Sequence, residues 1–244
     1  MMFAHGFGCD QAMWRYVAPH FAADYKVVTF DHVGAVGSDL TAYDDQKYAT
    51  LQGYVTDVLE IGRELYLQDA VFVGHSVSAM IAVLACIQAP DMFSTLVLVA
   101  PSPCYIDDDG YIGGFSRADI DDLLVSLAGN PFAWSSEMAP AIMGNPDRPE
   151  LGDELTQSFC RTNPDIALQF ARVTFTSDNR VDLKNVTART LILQCRDDII
   201  AGENVGRYVH AQIAGSKLVM LAASGHCPNL SAPAEVVAEI HRFV

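Results

Sequence analysis

Six short apolar runs, rich in β-branched residues and spread over most of the chain, restrict the fold more than any other feature. They are "MMFAHG" (1–6), "KVVTFD" (26–31), "AVFVGH" (70–75), "TLVLVA" (95–100), "TLILQC" (190–195) and "KLVMLA" (217–222). Nearly continuous hydrophobicity over so few residues is the pattern of a strand buried on both faces. Helix-length segments at 47–67, 78–89, 203–214 and 233–243 alternate with them, the last opening on Pro233, which suits a first helical turn. Strand followed by helix, repeated, predicts an α/β fold with a mostly parallel sheet covered on both faces. At 244 residues and 50% hydrophobic content, the chain is long enough for one such domain with its own core.

One interval breaks the alternation. From Tyr105 to Val186 no run reads as a strand, and helical patches are separated by Asn-Pro steps at 130–131, 145–146 and 163–164. The residue before a proline avoids the helical region, so each step marks a boundary. A four-helix insertion of this kind is expected to form a lid over the C-terminal ends of the strands. The expected division is a core of residues 1–104 and 187–244 and a helical lid of 105–186. "DDDG" at 107–110 reads as a solvated turn.

Several function classes are disfavoured. With 15 Lys and Arg against 30 Asp and Glu, the net charge of -15 argues against nucleic acid and anionic membranes as partners. No stretch approaches a membrane span, and "MMFAHGFG" lacks the regions of a signal peptide. The six cysteines (Cys9, Cys86, Cys104, Cys160, Cys195, Cys227) are scattered, with no zinc-like spacing. They read as buried free thiols of a cytoplasmic protein, and neither a metal nor another cofactor is expected.

The chemistry centres on "GHSVSAM" (74–80). Ser76 follows an apolar strand and precedes a run with helical spacing, the strand–turn–helix context of a nucleophile elbow. Such a turn needs small residues two before and two after the nucleophile. Gly74 meets this; Ser78, standing where a glycine is usual, meets it in relaxed form. An ordinary serine cap on a helix would look the same locally. A nucleophilic serine, however, needs a base and an acid, in the chain order Ser, Asp, His. "RDDII" follows the fifth run and "ASGHCPNLSAP" the sixth, which places His226 on a loop beyond the last strand. Spacing leaves the acid open between Asp197 and Asp198. "HGFG" (5–8) after the first run matches an oxyanion loop, with the backbone amides of Phe7 and Val77 as donors. Of the other histidines, His5 is expected to brace its loop, His32 to lie in a loop and His75 to point away from the serine. His20, His210 and His241 fall on helical segments.

Taken together, "FAHGFGCDQAMW", "GHSVSAMI", "APSPCY", "GGF", "ILQCRDDII" and "GHCPNLS" resemble the RsbQ group of α/β-hydrolases, bacterial relatives of the plant strigolactone and karrikin receptors. The likeness runs over nearly the whole chain. It implies that the Ser-Val-Ser elbow is the group's own variant, with Ser76 the nucleophile, and that the acid is the second aspartate, Asp198. Members of the group carry an antiparallel strand pair before the "FAHGFG" strand. Here Met1 opens directly on that strand, so the pair is expected to be missing and its sheet edge open.

The implied function is a serine hydrolase of small, mostly apolar carboxylic esters or lactones, working through an acyl-enzyme on Ser76, His226 and Asp198. Candidate pocket walls are Phe7, Val77, Phe115, Trp134 and Phe170. The alternative the resemblance implies is a slow-turnover signalling hydrolase that binds a small hydrophobic ligand and activates a partner phosphatase in a stress response.

Overall fold

The computed structural model of the chain describes residues 1–35 and 37–244. In chain order its elements are β1 (Met2–Ala4), β2 (Val28–Thr29), α1 (Leu51–Glu64), β3 (Ala70–His75), α2 (Val77–Gln88) and β4 (Phe93–Val99). Four helices follow, α3 (Arg117–Gly129), α4 (Pro131–Met143), α5 (Pro149–Arg161) and α6 (Pro164–Thr176). The chain then returns to β5 (Arg189–Cys195), α7 (Glu203–Gln212), β6 (Lys217–Leu221), α8 (Pro228–Ser231) and α9 (Pro233–Phe243). The six strands form one sheet in the order β2-β1-β3-β4-β5-β6, and every pairing is parallel. The mostly parallel sheet with helices that the sequence predicts is therefore what forms.

Alternation along the strands builds two cores. Phe3, Val71, Val73, Val97, Val99, Leu191 and Leu193 face one side, with Trp14, Phe21, and Val236 and Ile240 of α9. Met2, Ala4, Phe72, Leu96, Leu98 and Ile192 face the other, against α1, α2 and Val209 of α7. Burial on both faces is why these strands carry no polar alternation.

Element ends differ from the sequence reading where local geometry intervenes. The helix expected over 47–67 begins only at Leu51, because Thr50 is extended (φ −142°, ψ 169°) and caps the Gln52 amide through its hydroxyl. The run 26–31 pairs over Val28 and Thr29, since its strand partner among the described residues is the three-residue β1. In the insertion, prolines open α4, α5 and α6 at their first turns, and Asn130 and Asn163 cap α4 and α6. The three Asn-Pro steps accordingly fall between helices. "DDDG" forms a tight turn between Asp108 and Tyr111.

Candidate active site

The turn from β3 to α2 is strained at one residue. Ser76 has φ 56° and ψ −123°, a left-handed conformation that costs a non-glycine residue of order 1–3 kcal/mol and recurs at functional turns. Its amide is pinned to β4 by a 2.9 Å hydrogen bond to the Val99 carbonyl. The turn is tight enough that a Cβ on Gly74 would collide with the Ser78 carbonyl, which is the physical reason for glycine there. The strain lifts the Ser76 side chain clear of the helix it precedes, and its hydroxyl makes no cap bond.

Two later loops bring the partners. His226 Nε2 lies 2.8 Å from Ser76 Oγ, and His226 Nδ1 lies 2.7 Å from Asp198 Oδ2. All three residues are buried. Asp198 is fixed in turn, its Oδ1 accepting from the amides of Ile200 (2.8 Å) and Ala201 (3.0 Å). Asp197 is exposed and faces the other way, its carboxylate accepting from the Ser224 hydroxyl at 3.2 Å. Of the aspartate pair that spacing left open, the structure thus brings Asp198 to the imidazole.

Phe7 and Val77 flank the serine. Val77 is the first residue of α2, and the first amides of a helix have no intrahelical acceptor. The Phe7 amide takes no backbone acceptor among the described residues. Two free amides beside a serine hydroxyl can receive a developing oxyanion.

His75 does more than the sequence suggested. Its Nε2 donates to the His226 carbonyl at 2.7 Å, and its ring lines the cavity over Ser76. Burial lowers its pKa to about 3, so it stays a neutral donor that steadies the loop of the base. Its partner lies 151 residues away, which no local pattern reveals. His20, His210 and His241 are exposed, as their helical settings suggested.

The cavity is small, about 30 Å³, and mostly apolar. Phe7 and Trp134 line it, together with Ile142, Leu155, Phe159 and Phe175, which are not among the candidate walls. Phe115 and Phe170 do not. Phe115 is held away by backbone pairing with 105–107, its amide donating to the Tyr105 carbonyl at 3.1 Å. Phe170 stacks on Tyr54 with ring centres 4.4 Å apart, one layer behind Phe7. Val77 is buried at the head of α2 and offers its amide rather than its side chain.

Cys9 and Cys227 also face the cavity, but burial pushes the Cys9 thiol up to about 12 and the Cys227 thiol well above its ordinary value. A thiol is nucleophilic as its thiolate, so neither competes with the serine at neutral pH. Cys160 is exposed, in contrast with the burial expected of the thiols as a set. Among the described residues no group of three or more His, Cys, Asp or Glu is placed to hold a metal ion, and no helix is long and apolar enough to cross a membrane.

Comparison with known proteins agrees with this fold. The model of the alpha/beta hydrolase family matches residues 1–240. A rice (Oryza sativa subsp. japonica) protein named as a probable esterase is 39% identical over 245 residues, covering 100% of this chain and 90% of its own. A Petunia hybrida protein named karrikin insensitive 2 receptor CA is 39% identical over 249 residues, covering 100% and 91%. Among solved structures, a hydrolase from Oleispira antarctica superposes with a TM-score of 0.96 at 37% identity, covering 99% of this chain and 89% of its own.

Proposed function

The chain belongs to the α/β-hydrolase family, and from that premise we propose that it is a serine hydrolase of small, mostly apolar carboxylic esters or lactones. The observation that carries the reading is the unbroken line from Ser76 Oγ through His226 to Asp198, with contacts of 2.8 and 2.7 Å, ending at an apolar cavity. As Oγ attacks the carbonyl carbon, His226 takes its proton at Nε2, and Asp198 holds the imidazolium through Nδ1–H. The Phe7 and Val77 amides bind the oxyanion. Collapse of the adduct passes the proton to the leaving alkoxide and leaves an acyl-Ser76. Water, deprotonated by the same nitrogen, then releases the acid. Helices α3–α6, within residues 105–186, act as the lid over this cleft, and the mostly buried thiols suit a cytoplasmic setting.

Ser76→Ala tests the reading. It should lower hydrolysis of 4-nitrophenyl acetate by roughly 10³-fold or more without changing the melting temperature. A variant that keeps more than about a tenth of the activity overturns the assignment, because nucleophile removal is far more damaging than that. Phenylmethylsulfonyl fluoride should label Ser76, and an adduct mapped to Ser78 would be equally fatal.

A second reading draws on the full-length likeness to a protein named a receptor. In it the same site turns over slowly, and occupancy is relayed to a partner phosphatase in a stress response. Phosphatase activity that responds to this chain only with ligand present would favour it.

A further inference from the structure

The two amides proposed for the oxyanion come from different parts of the chain, Phe7 from the loop after β1 and Val77 from the head of α2. Oxyanion donors work only when held at about 3 Å from the developing charge. Something must therefore fix one segment against the other. The Ser78 side chain does so.

Ser78 is fully buried, and its Oγ lies 2.5 Å from the His5 carbonyl oxygen and 2.8 Å from His32 Nε2. A carbonyl can only accept, and a hydroxyl has one proton to give. Ser78 thus donates to His5, and His32 Nε2–H donates to Ser78. The His32 amide in turn donates to His5 Nε2 at 3.0 Å, which leaves the His5 proton on Nδ1, facing the Gly6 carbonyl at 2.9 Å. The bond accepted by His5 Nε2 requires that ring to be neutral. Burial lowers the pKa of both histidines, that of His32 well below its ordinary value. The circuit joins the residue after Val77 to the residue two before Phe7, so one hydroxyl spans the gap between the two donors.

We propose that Ser78 and His32 are positioning residues for the oxyanion hole, locking the loop that carries the Phe7 amide onto the nucleophile turn. This rests on the hydrolase reading above. A requirement for small size alone would be met by glycine or alanine, neither of which bonds to His5 and His32.

Ser78→Ala removes the link while keeping the volume small. With 4-nitrophenyl acetate, kcat should fall roughly 10- to 100-fold and KM stay within about threefold, less than the roughly 10²–10³-fold cost of deleting a donor outright. Phenylboronic acid adds reversibly to Ser76 Oγ, whose proton passes to His226 Nε2 as a boron–oxygen bond forms and the boron becomes tetrahedral and anionic, and its inhibition constant should weaken by the same factor as kcat. Unchanged kcat in the folded variant overturns the proposal. So does a fall in kcat with boronate affinity intact, because the loss would then lie outside the oxyanion site. Should Ser78→Ala fail to melt cooperatively, His32→Phe decides. It keeps an aromatic ring and the Ser78–His5 bond, and should lower kcat about three- to tenfold with KM unchanged, a smaller share of the same donor-alignment loss; an unchanged kcat there overturns the proposal too. The Ser76→Ala control separates the two readings. An active Ser76→Ala sinks the hydrolase reading itself, whereas a dead Ser76→Ala beside a fully active Ser78→Ala sinks only this one.

Discussion

Below the cavity, Ser76, Asp198 and His226 hang from loops that leave β3, β5 and β6, and each polar group is tied to backbone that cannot shift alone. Above it, α4, α5 and α6 offer the apolar side chains of Trp134, Ile142, Leu155, Phe159 and Phe175. The floor is fixed by hydrogen bonds to strand ends and turns, as in Ser76 N to Val99 O and Asp198 Oδ1 to two amides. The roof is fixed by packing of rings against rings, Phe7 on Trp134, Phe159 and Phe175 at 5.7–6.3 Å. Hydrogen bonds fix direction and distance, whereas apolar packing tolerates exchange of shape for shape. Changes to the floor should therefore abolish turnover, and changes to the roof should redistribute it among substrates.

The largest expected effect is on the floor. Asp198→Asn should lower kcat by about 10⁴-fold, because an amide in place of the carboxylate favours the wrong tautomer of the base. Asp197→Asn should cost only a few-fold, since that carboxylate meets the Ser224 hydroxyl at the surface. Steady-state kinetics on both variants decide it, and equal losses would break the distinction within the pair.

In the roof, Trp134→Ala should alter preference rather than chemistry. With a cavity of about 30 Å³, the wild type should favour acyl groups of about two to four carbons. Removing the indole should raise the rate on 4-nitrophenyl hexanoate relative to acetate by roughly tenfold, at a stability cost of about 3–5 kcal/mol typical of Trp→Ala in a core. Lost stability with an unchanged chain-length profile would mean that Trp134 is packing alone.

The same contrast explains what a reader of the sequence can see. Strand ends are legible because apolar β-branched runs stop abruptly, and the residues just beyond them are the ones the structure gathers around Ser76. Within such a turn, neighbouring side chains diverge, so Asp197 and Asp198 look alike in spacing yet face opposite ways. The roof is harder. Phe170 and Phe175 are five residues apart on α6, about 140° around a helix, so one meets Tyr54 and the other the cavity. Which face looks down is set by tertiary packing, and an aromatic count over 105–186 does not contain it. Nor do the contacts of Ser78 and His75, whose partners lie 46 to 151 residues away.

Acid should distinguish the two regions more gently. The floor holds the buried neutral histidines His5, His32 and His75, whereas residues 105–186 contain no histidine. Asp31 and Asp10 face His5, and Asp198 faces His75, but burial outweighs them and all three pKa values are lowered, that of His75 to about 3. Below about pH 6.5 the unfolded chain takes up protons that the folded chain refuses, so stability falls as pH falls. The expected slope between pH 6.5 and 5, above the range where carboxylates titrate, is on the order of 1 kcal/mol per pH unit for each histidine. Urea midpoints across that range measure it. A flat profile would mean that these rings accept protons in place.

The smallest effect is expected where the two regions join. The turn after α4 is bound to the loop of the base: the His226 amide donates to the Ile142 carbonyl at 2.9 Å, and Asn145 Nδ2 donates to Met143 O at 2.6 Å and Ser224 O at 3.1 Å. Arg148 extends the seam, donating to Ser231 O at 2.8 Å and to Asn145 Oδ1 at 2.5 Å. Gly225 (φ +82°) passes so close to Met143 that a Cβ there would strike its carbonyl. The C-terminal end of α4 is thus bonded to the loop that carries His226. Asn145→Ala removes three side-chain hydrogen bonds, of which only that to Ser224 reaches the loop of the base, and leaves the His226–Ile142 bond, so kcat should fall only about threefold, in line with the loss of one modest net hydrogen bond to that loop. The substrate dependence carries the information. If the seam serves the base, acetate and hexanoate esters slow equally, because both need the same imidazole. If it serves only the roof, the hexanoate rate alone changes. A hexanoate-specific change would show that the roof pivots without disturbing His226, and the seam between the two regions would then be packing and nothing more.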